Sequence, residues 1–213
     1  MMSMITQSPN LSCDQACKIA QDWYGLMVTA EVLPSERDQN FKLCAEDGRV
    51  FVLKIANSEE DRSFLEAQNQ VIARLQERSG AYCPELIQTR SGADFSDVDV
   101  NGSTHAGRLI TWLPGEVLAR CKWQGPELLH HLGACVGEVD SALKGFDHAA
   151  LHRGDFPWDL RNAPVVIDRY IDQVKDSQLH HQINAVRANL AEYVVPRLPR
   201  LEQSVIHNDA NDY

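Results

Sequence analysis

Apolar residues recur along this chain first at helical spacing, then in short strand-like runs, and from Pro126 onward mainly at helical spacing again. Cys17, Ile19, Ala20 and Trp23 lie on one helical face behind a capping box formed by Ser12 and Gln15, which predicts a first helix ending near Gly25. Val28 to Leu33, Phe41 to Cys44 and Val50 to Ala56 then read as strands joined by antiparallel hairpins, with Asp47-Gly48 as one turn. Glu59 to Arg78 repeats apolar residues at Phe64, Val71, Ile72 and Leu75 and is expected to be a long helix packed on one face of the sheet. Leu86 to Thr89 and Arg108 to Trp112 supply two more strands, separated by a polar connection with an Asn101-Gly102 turn. Pro126 to Leu143, Val165 to Val174 and Leu179 to Val195 are helical by pattern, with Pro126 suited to a first turn. The resulting fold class is α+β: a small antiparallel β-sheet lobe with one packed helix over residues 1–113, then a mainly helical lobe over 114–213. Leu113-Pro114-Gly115 forms the linker, and such a junction is where ligands usually sit.

Composition narrows the function classes. The chain has 213 residues, and its 30 acidic against 20 basic side chains give a formal charge of −10. That balance argues against nucleic acid or anionic lipid as a partner and mildly favours a cationic substrate. No apolar run is long enough for a membrane span, and Met1 to Asn10 has no signal-peptide pattern, so a cytoplasmic setting is expected. The six cysteines have no metal-ligand spacing and read as reduced thiols. His130-His131 and His180-His181 are adjacent pairs on helices, which point in different directions and make poor metal sites.

Three stretches carry candidate chemistry. Lys54 interrupts the apolar strand Val50 to Ala56, and a buried ammonium there needs a phosphate or a carboxylate, unless the strand lies at an edge and the lysine reaches water. Glu66 is the nearest carboxylate on the following helix; Gln68 or Gln70 would face the lysine if the helix turned by half a turn, and a solvated Glu66 is the alternative. The loop Leu33 to Asn40 lacks glycine, yet Ser35, Gln39 and Asn40 could donate hydrogen bonds to phosphate oxygens and Arg37 could add charge; an ordinary hairpin loop is the competing reading. Near the other end, Ser204-Val205-Ile206 reads as a short strand delivering His207-Asn208-Asp209. Asp209 could accept a hydroxyl proton while His207 braces the loop, or the tripeptide is simply an Asx turn.

In this order, these features resemble the aminoglycoside phosphotransferase and choline kinase family, which has the protein-kinase-like fold. Leu33 to Phe41, Phe51 to Ile55 and Val205 to Tyr213 look most like the hydroxylysine kinase branch and its bacterial relatives, some of which are fused to peptidase-like and class III aminotransferase domains. The resemblance implies that Lys54 contacts the α- and β-phosphates of ATP or GTP, that Glu66 orients it, that Thr111, Trp112 and Leu113 offer hinge backbone to the purine, and that Asp209 is the base for a small amino-alcohol acceptor, hydroxylysine being favoured over an aminoglycoside, choline or homoserine. It also implies Mg²⁺, held by an asparagine at the position after Tyr213 and by a later aspartate motif. Neither is present, so the chain as it stands is expected to be an inactive fragment of a longer kinase, with a nucleotide- or partner-binding pseudokinase-like module as the alternative.

Overall fold

The computed structural model describes residues 8–79, 83–154 and 156–210. It divides into two compact units, one formed by 1–146 with 206–213 and the other by 147–205.

Within the first unit the chain opens on α1 (Cys13–Ile19), whose capping box is formed as expected. The Ser12 hydroxyl accepts from Gln15 N–H, and the Gln15 side chain accepts from Ser12 N–H. A π-helical turn, Ala20–Tyr24, continues it and stops at Gly25, where φ is +70°. Six antiparallel strands follow: β1 (Val28–Leu33), β2 (Gln39–Ala45), β3 (Val50–Ile55), β4 (Leu86–Ile87), β5 (Ser96–Val100) and β6 (Ser103–Thr111). They are ordered β1-β2-β3-β6-β4, with β5 paired to β6. β5 was not expected. Its sequence, Ser96-Asp97-Val98-Asp99-Val100, is short and three of its five residues are Ser or Asp, so it reads as a loop, but Val98 and Val100 face inward and the Asn101-Gly102 turn folds it back on β6.

Alternation along the central strands separates the two faces of this sheet. Phe51, Leu53 and Ile55 of β3 join Phe41 and Leu43 of β2, Leu109 of β6 and Leu11, Ala16, Ile19 and Ala20 of the N-terminal segment in one buried cluster. The opposite face is covered by α2 (Arg62–Arg78), which starts at Asp61, whose carboxylate accepts from Ser63 N–H, and buries Leu65, Ala67, Asn69 and Leu75. α3 (Pro126–Leu143) begins on proline as expected, and Arg74 of α2 donates to the Ala142 and Lys144 carbonyls at its end, satisfying acceptors that a helix terminus leaves open.

The second unit contains α4 (Ala163–Tyr170) and α5 (Ser177–Asn189), joined by the bidentate pair of Arg187 with Asp168. Trp158 is exposed, and Asp159 caps the short turn 160–162 and pairs with Arg161. Among the described residues no helix is long and apolar enough to cross a membrane, and all six cysteines are free thiols.

Candidate functional site

Strand register assembles a charged patch on the α2 side of the sheet. Lys54 on β3 lies opposite Asn40 on β2 and opposite Arg108 on β6. Residues directly opposed on antiparallel strands share a face, so these three side chains emerge together. Asp38, in the loop before β2, joins them and is held there because its Oδ1 accepts from the Asn57 backbone N–H at 3.0 Å. Asp38, Lys54 and Arg108 line one small pocket together with Leu65 of α2, Phe95 and Gly107.

The electrostatics are those of two cations sharing one carboxylate. Burial lowers the Lys54 pKa and the neighbouring Arg108 lowers it further, while Asp38 pulls it back up. Burial also lowers the Arg108 pKa, with Asp38 again opposing. Arg108 is 7% exposed. Its guanidinium donates to the Leu65 carbonyl at 3.3 Å, to Asn69 Oδ1 and to Gln68 Oε1, three neutral acceptors on one helix. Lys54 makes no hydrogen bond or ion pair among the described residues. Beside it Asn40 Oδ1 is buried and also without a hydrogen-bond partner. A buried polar group left open in this way is one that a ligand can satisfy.

The other residues singled out from sequence fall in different places. Glu66 is exposed and does not line the pocket, and the carboxylate that acts on Lys54 is Asp38. α2 is turned so that Leu65 and Asn69 are buried, which directs Glu66 outward and brings Gln68 to Arg108 rather than to the lysine. Gln39 is paired with Ile55, one register step from the Lys54 position, and its amide is fully engaged: Oε1 accepts from Leu11 N–H at 2.7 Å and Nε2 donates to the Leu11 carbonyl at 2.9 Å. Ser35 is exposed in the loop, and Arg37 pairs with Glu60 at 2.9 Å.

At the expected hinge, Thr111 N–H donates to the Glu85 carbonyl, Thr111 Oγ1 accepts from Glu85 N–H, and Trp112 N–H donates to the Val50 carbonyl. The Trp112 ring is covered by the Lys42 ammonium at 4.8 Å. Leu113, by contrast, keeps its N–H free of any partner among the described residues.

The expected Ser204 to Ile206 strand is absent, and residues 202–207 have no regular structure. Three consecutive residues ahead of an Asx-rich turn bury too little to hold a strand without a partner. His207 and Asp209 are exposed, and Asp209 N–H donates to His207 Nδ1 at 3.3 Å across Asn208, whose φ is +60°. Asn211, Asp212 and Tyr213 lie outside the described residues. Among the described residues there is no group of three His, Cys, Asp or Glu side chains that could hold a metal ion.

Asp38 and Arg108 were missed by sequence reasoning. Arg108 carried the same signal as Lys54, a charge within an otherwise apolar strand, but it stood first in its predicted strand and passed for an end residue. Asp38 sat in a polar loop where any of six side chains could have turned inward.

The chain is 35% identical over 221 residues to hydroxylysine kinase of Xenopus laevis, covering 96% of this chain and 58% of that protein. It is 30% identical over 224 residues to hydroxylysine kinase of Danio rerio, covering 100% and 62%. It therefore spans about three fifths of the length of these relatives. Among solved structures, amicoumacin kinase hAmiN in complex with AMP-PNP, Ca²⁺ and Ami superposes with a TM-score of 0.58 at 15% identity, over 76% of this chain and 53% of that one, which shows a shared kinase-like fold. With the model of the phosphotransferase enzyme family APH matching residues 29–212, this chain belongs to that family.

Proposed function

We propose that the chain carries the nucleotide-binding part of a small-molecule kinase, one that transfers the γ-phosphate of ATP or GTP to a hydroxyl of a small amino compound resembling hydroxylysine. The observation that carries this reading is Lys54: a partly buried ammonium with no hydrogen bond or ion pair among the described residues, opposed to Arg108 across β3 and β6 in a phosphotransferase-family chain. An anionic phosphate oxygen supplies the missing partner and, by favouring the charged form, reverses the lowering of the lysine pKa. Asn40, directly opposite on β2, would meet the same anion through its amide NH₂, the only part of that side chain able to donate to a phosphate oxygen.

In this reading residues 1–113 are the nucleotide lobe and 114–213 the substrate lobe. The Leu113 N–H is the hinge donor to the purine, since those of Thr111 and Trp112 are committed to the sheet. Asp209 accepts the proton of the attacking hydroxyl, and His207 keeps the loop in shape through its bond to the Asp209 N–H. Glu66, exposed, has no part in the reading. Mg²⁺, when bound, would neutralise the charge that develops on the transferring phosphoryl group. The hydroxylysine preference rests on the two relatives at 30–35% identity, and the free cysteines suit a cytoplasmic setting.

The deciding experiment measures nucleotide turnover with hydroxylysine, an aminoglycoside, choline and homoserine as acceptors, in the kinase extended past residue 213 to the length of its relatives and in its Asp209→Asn variant. Turnover that depends on hydroxylysine and is lost in the variant supports the reading. Equal turnover in both removes Asp209 from its role, and stabilisation by nucleotide without any turnover makes the chain a binding module.

A further inference from the structure

We propose that Arg108 is a second phosphate-binding cation, acting with Lys54 on the same anionic group, and that the Gln68 and Asn69 amides of α2 aim its guanidinium without cancelling its charge. The inference deepens the nucleotide reading above and rests on it for the identity of the ligand.

Charge balance is the first support. Lys54 and Arg108 are opposed across β3 and β6 and line one pocket, and the carboxylate acting on both is Asp38. The cluster is one negative charge short. A guanidinium removed from water is costly unless paired, so an unneutralised one held in place by the fold is a site for an anion.

The second support is the chemistry of what holds it. Three acceptors on α2, the Leu65 carbonyl and the Gln68 and Asn69 side-chain oxygens, bind both terminal nitrogens of Arg108. All three are neutral. A carboxylate at either side-chain position would orient the guanidinium equally well but would pair with it and leave the pocket uncharged. Amides fix its direction and leave its charge to act on a ligand in a setting where water screens it weakly.

Asp38 then has a definite part. Its Oδ1 accepts from the Asn57 N–H, so it stays in the pocket, where it offsets half the positive charge of the two cations and competes with phosphate for them.

A purely structural role, with Arg108 only anchoring α2 to the sheet, predicts different behaviour. The test follows thermal and calorimetric titrations of the whole chain with ATP, inorganic tripolyphosphate and adenosine, using Arg108→Met, Arg108→Lys and Asp38→Asn. Arg108→Met is expected to weaken ATP and tripolyphosphate by at least about tenfold, the scale of one charge-assisted hydrogen bond, and to leave the adenosine response unchanged. Arg108→Lys should recover part of that loss. Asp38→Asn retains the acceptor for Asn57 while removing the competing charge, so it should tighten tripolyphosphate several-fold. The proposal is overturned if Arg108→Met leaves the polyphosphate affinity intact or weakens adenosine equally, or if Asp38→Asn weakens polyphosphate binding. Should Arg108→Met not fold, Arg108→Gln takes its place, since an amide NH₂ can still donate to the α2 acceptors while the charge is removed; polyphosphate affinity left intact in that variant overturns the proposal. Wild-type chain that responds to tripolyphosphate but to neither ATP nor adenosine would end the nucleotide reading and leave the two-cation site standing; no response to any probe would end both. Wild-type chain that binds ATP with all three variants unchanged would end only the present proposal.

Discussion

The two faces of the central sheet are built from the same strands, one residue out of step, and they have opposite characters. Toward α1, Phe41, Leu43, Leu53, Ile55 and Leu109 are fully buried, and the ring of Trp23 lies against Gly107 where no side chain intervenes. Toward α2, the next residues in line are Asn40, Lys54 and Arg108, with an open amide oxygen and an unpaired ammonium. The dry face supplies the hydrophobic stabilisation that ties the strands together. That support lets the other face hold two cations and one carboxylate in poor mutual balance, an arrangement that a small core of its own could not maintain.

If that division holds, the largest effects on stability belong to the α1 side. Leu53→Ala, at a fully buried position, should cost about 2–5 kcal/mol in urea unfolding; a loss below about 1 kcal/mol would mean that the α1 face is not the main core. Gly107→Ala comes next. A Cβ there would meet the Trp23 ring at 2.6 Å and Ile55 at 2.9 Å, so a loss of about 1–3 kcal/mol is expected by the same measurement, unless Trp23 can swing aside.

The α2 face should show itself through pH. The folded-state pKa of Lys54 is depressed from its ordinary 10.5, so the unfolded chain binds its proton more tightly. Lys54 therefore destabilises the fold at neutral pH, and stability rises as pH climbs through the lowered value toward 10.5. Subtracting the Lys54→Met unfolding curve from wild type should isolate this rise, and a flat difference would place the ammonium in water. Tyr24, whose pKa burial pushes up, acts oppositely: the unfolded chain loses its proton first, so stability falls above the ordinary tyrosine value of 10.0. Tyr24→Phe should remove that fall, which separates the two contributions. The smallest effect is expected at Arg62 and Asp97, an ion pair of 2.7 Å with both side chains about half exposed; Asp97→Asn should change stability by less than about 1 kcal/mol.

Much of this was legible from residue order, but unevenly. Strands β1 to β3 announced themselves because one face of each is apolar and turn residues bracket them, and Pro126 marked the start of α3 without error. β5 was hidden because its polar positions are solvated and only its partner, β6, reveals that the intervening valines point inward. The same one-residue logic separates Asn40, which lies beside Lys54, from Gln39, which is spent on the backbone of Leu11. Glu66 looked like the nearest carboxylate because distance along a helix was all the sequence offered, whereas its direction depends on how α2 is rotated about its axis.

Residue order alone therefore determined which elements form, that a lysine would interrupt the third strand, and that the chain has the marks of a phosphotransferase, because periodicity, turn chemistry and short motifs are local properties. Only the tertiary structure decided which charges meet. Asp38, Lys54 and Arg108 are far apart in the chain, and their meeting depends on strand register and on the loop bond to Asn57. These are long-range geometric facts, settled by the packing of the whole sheet and by no single segment of it.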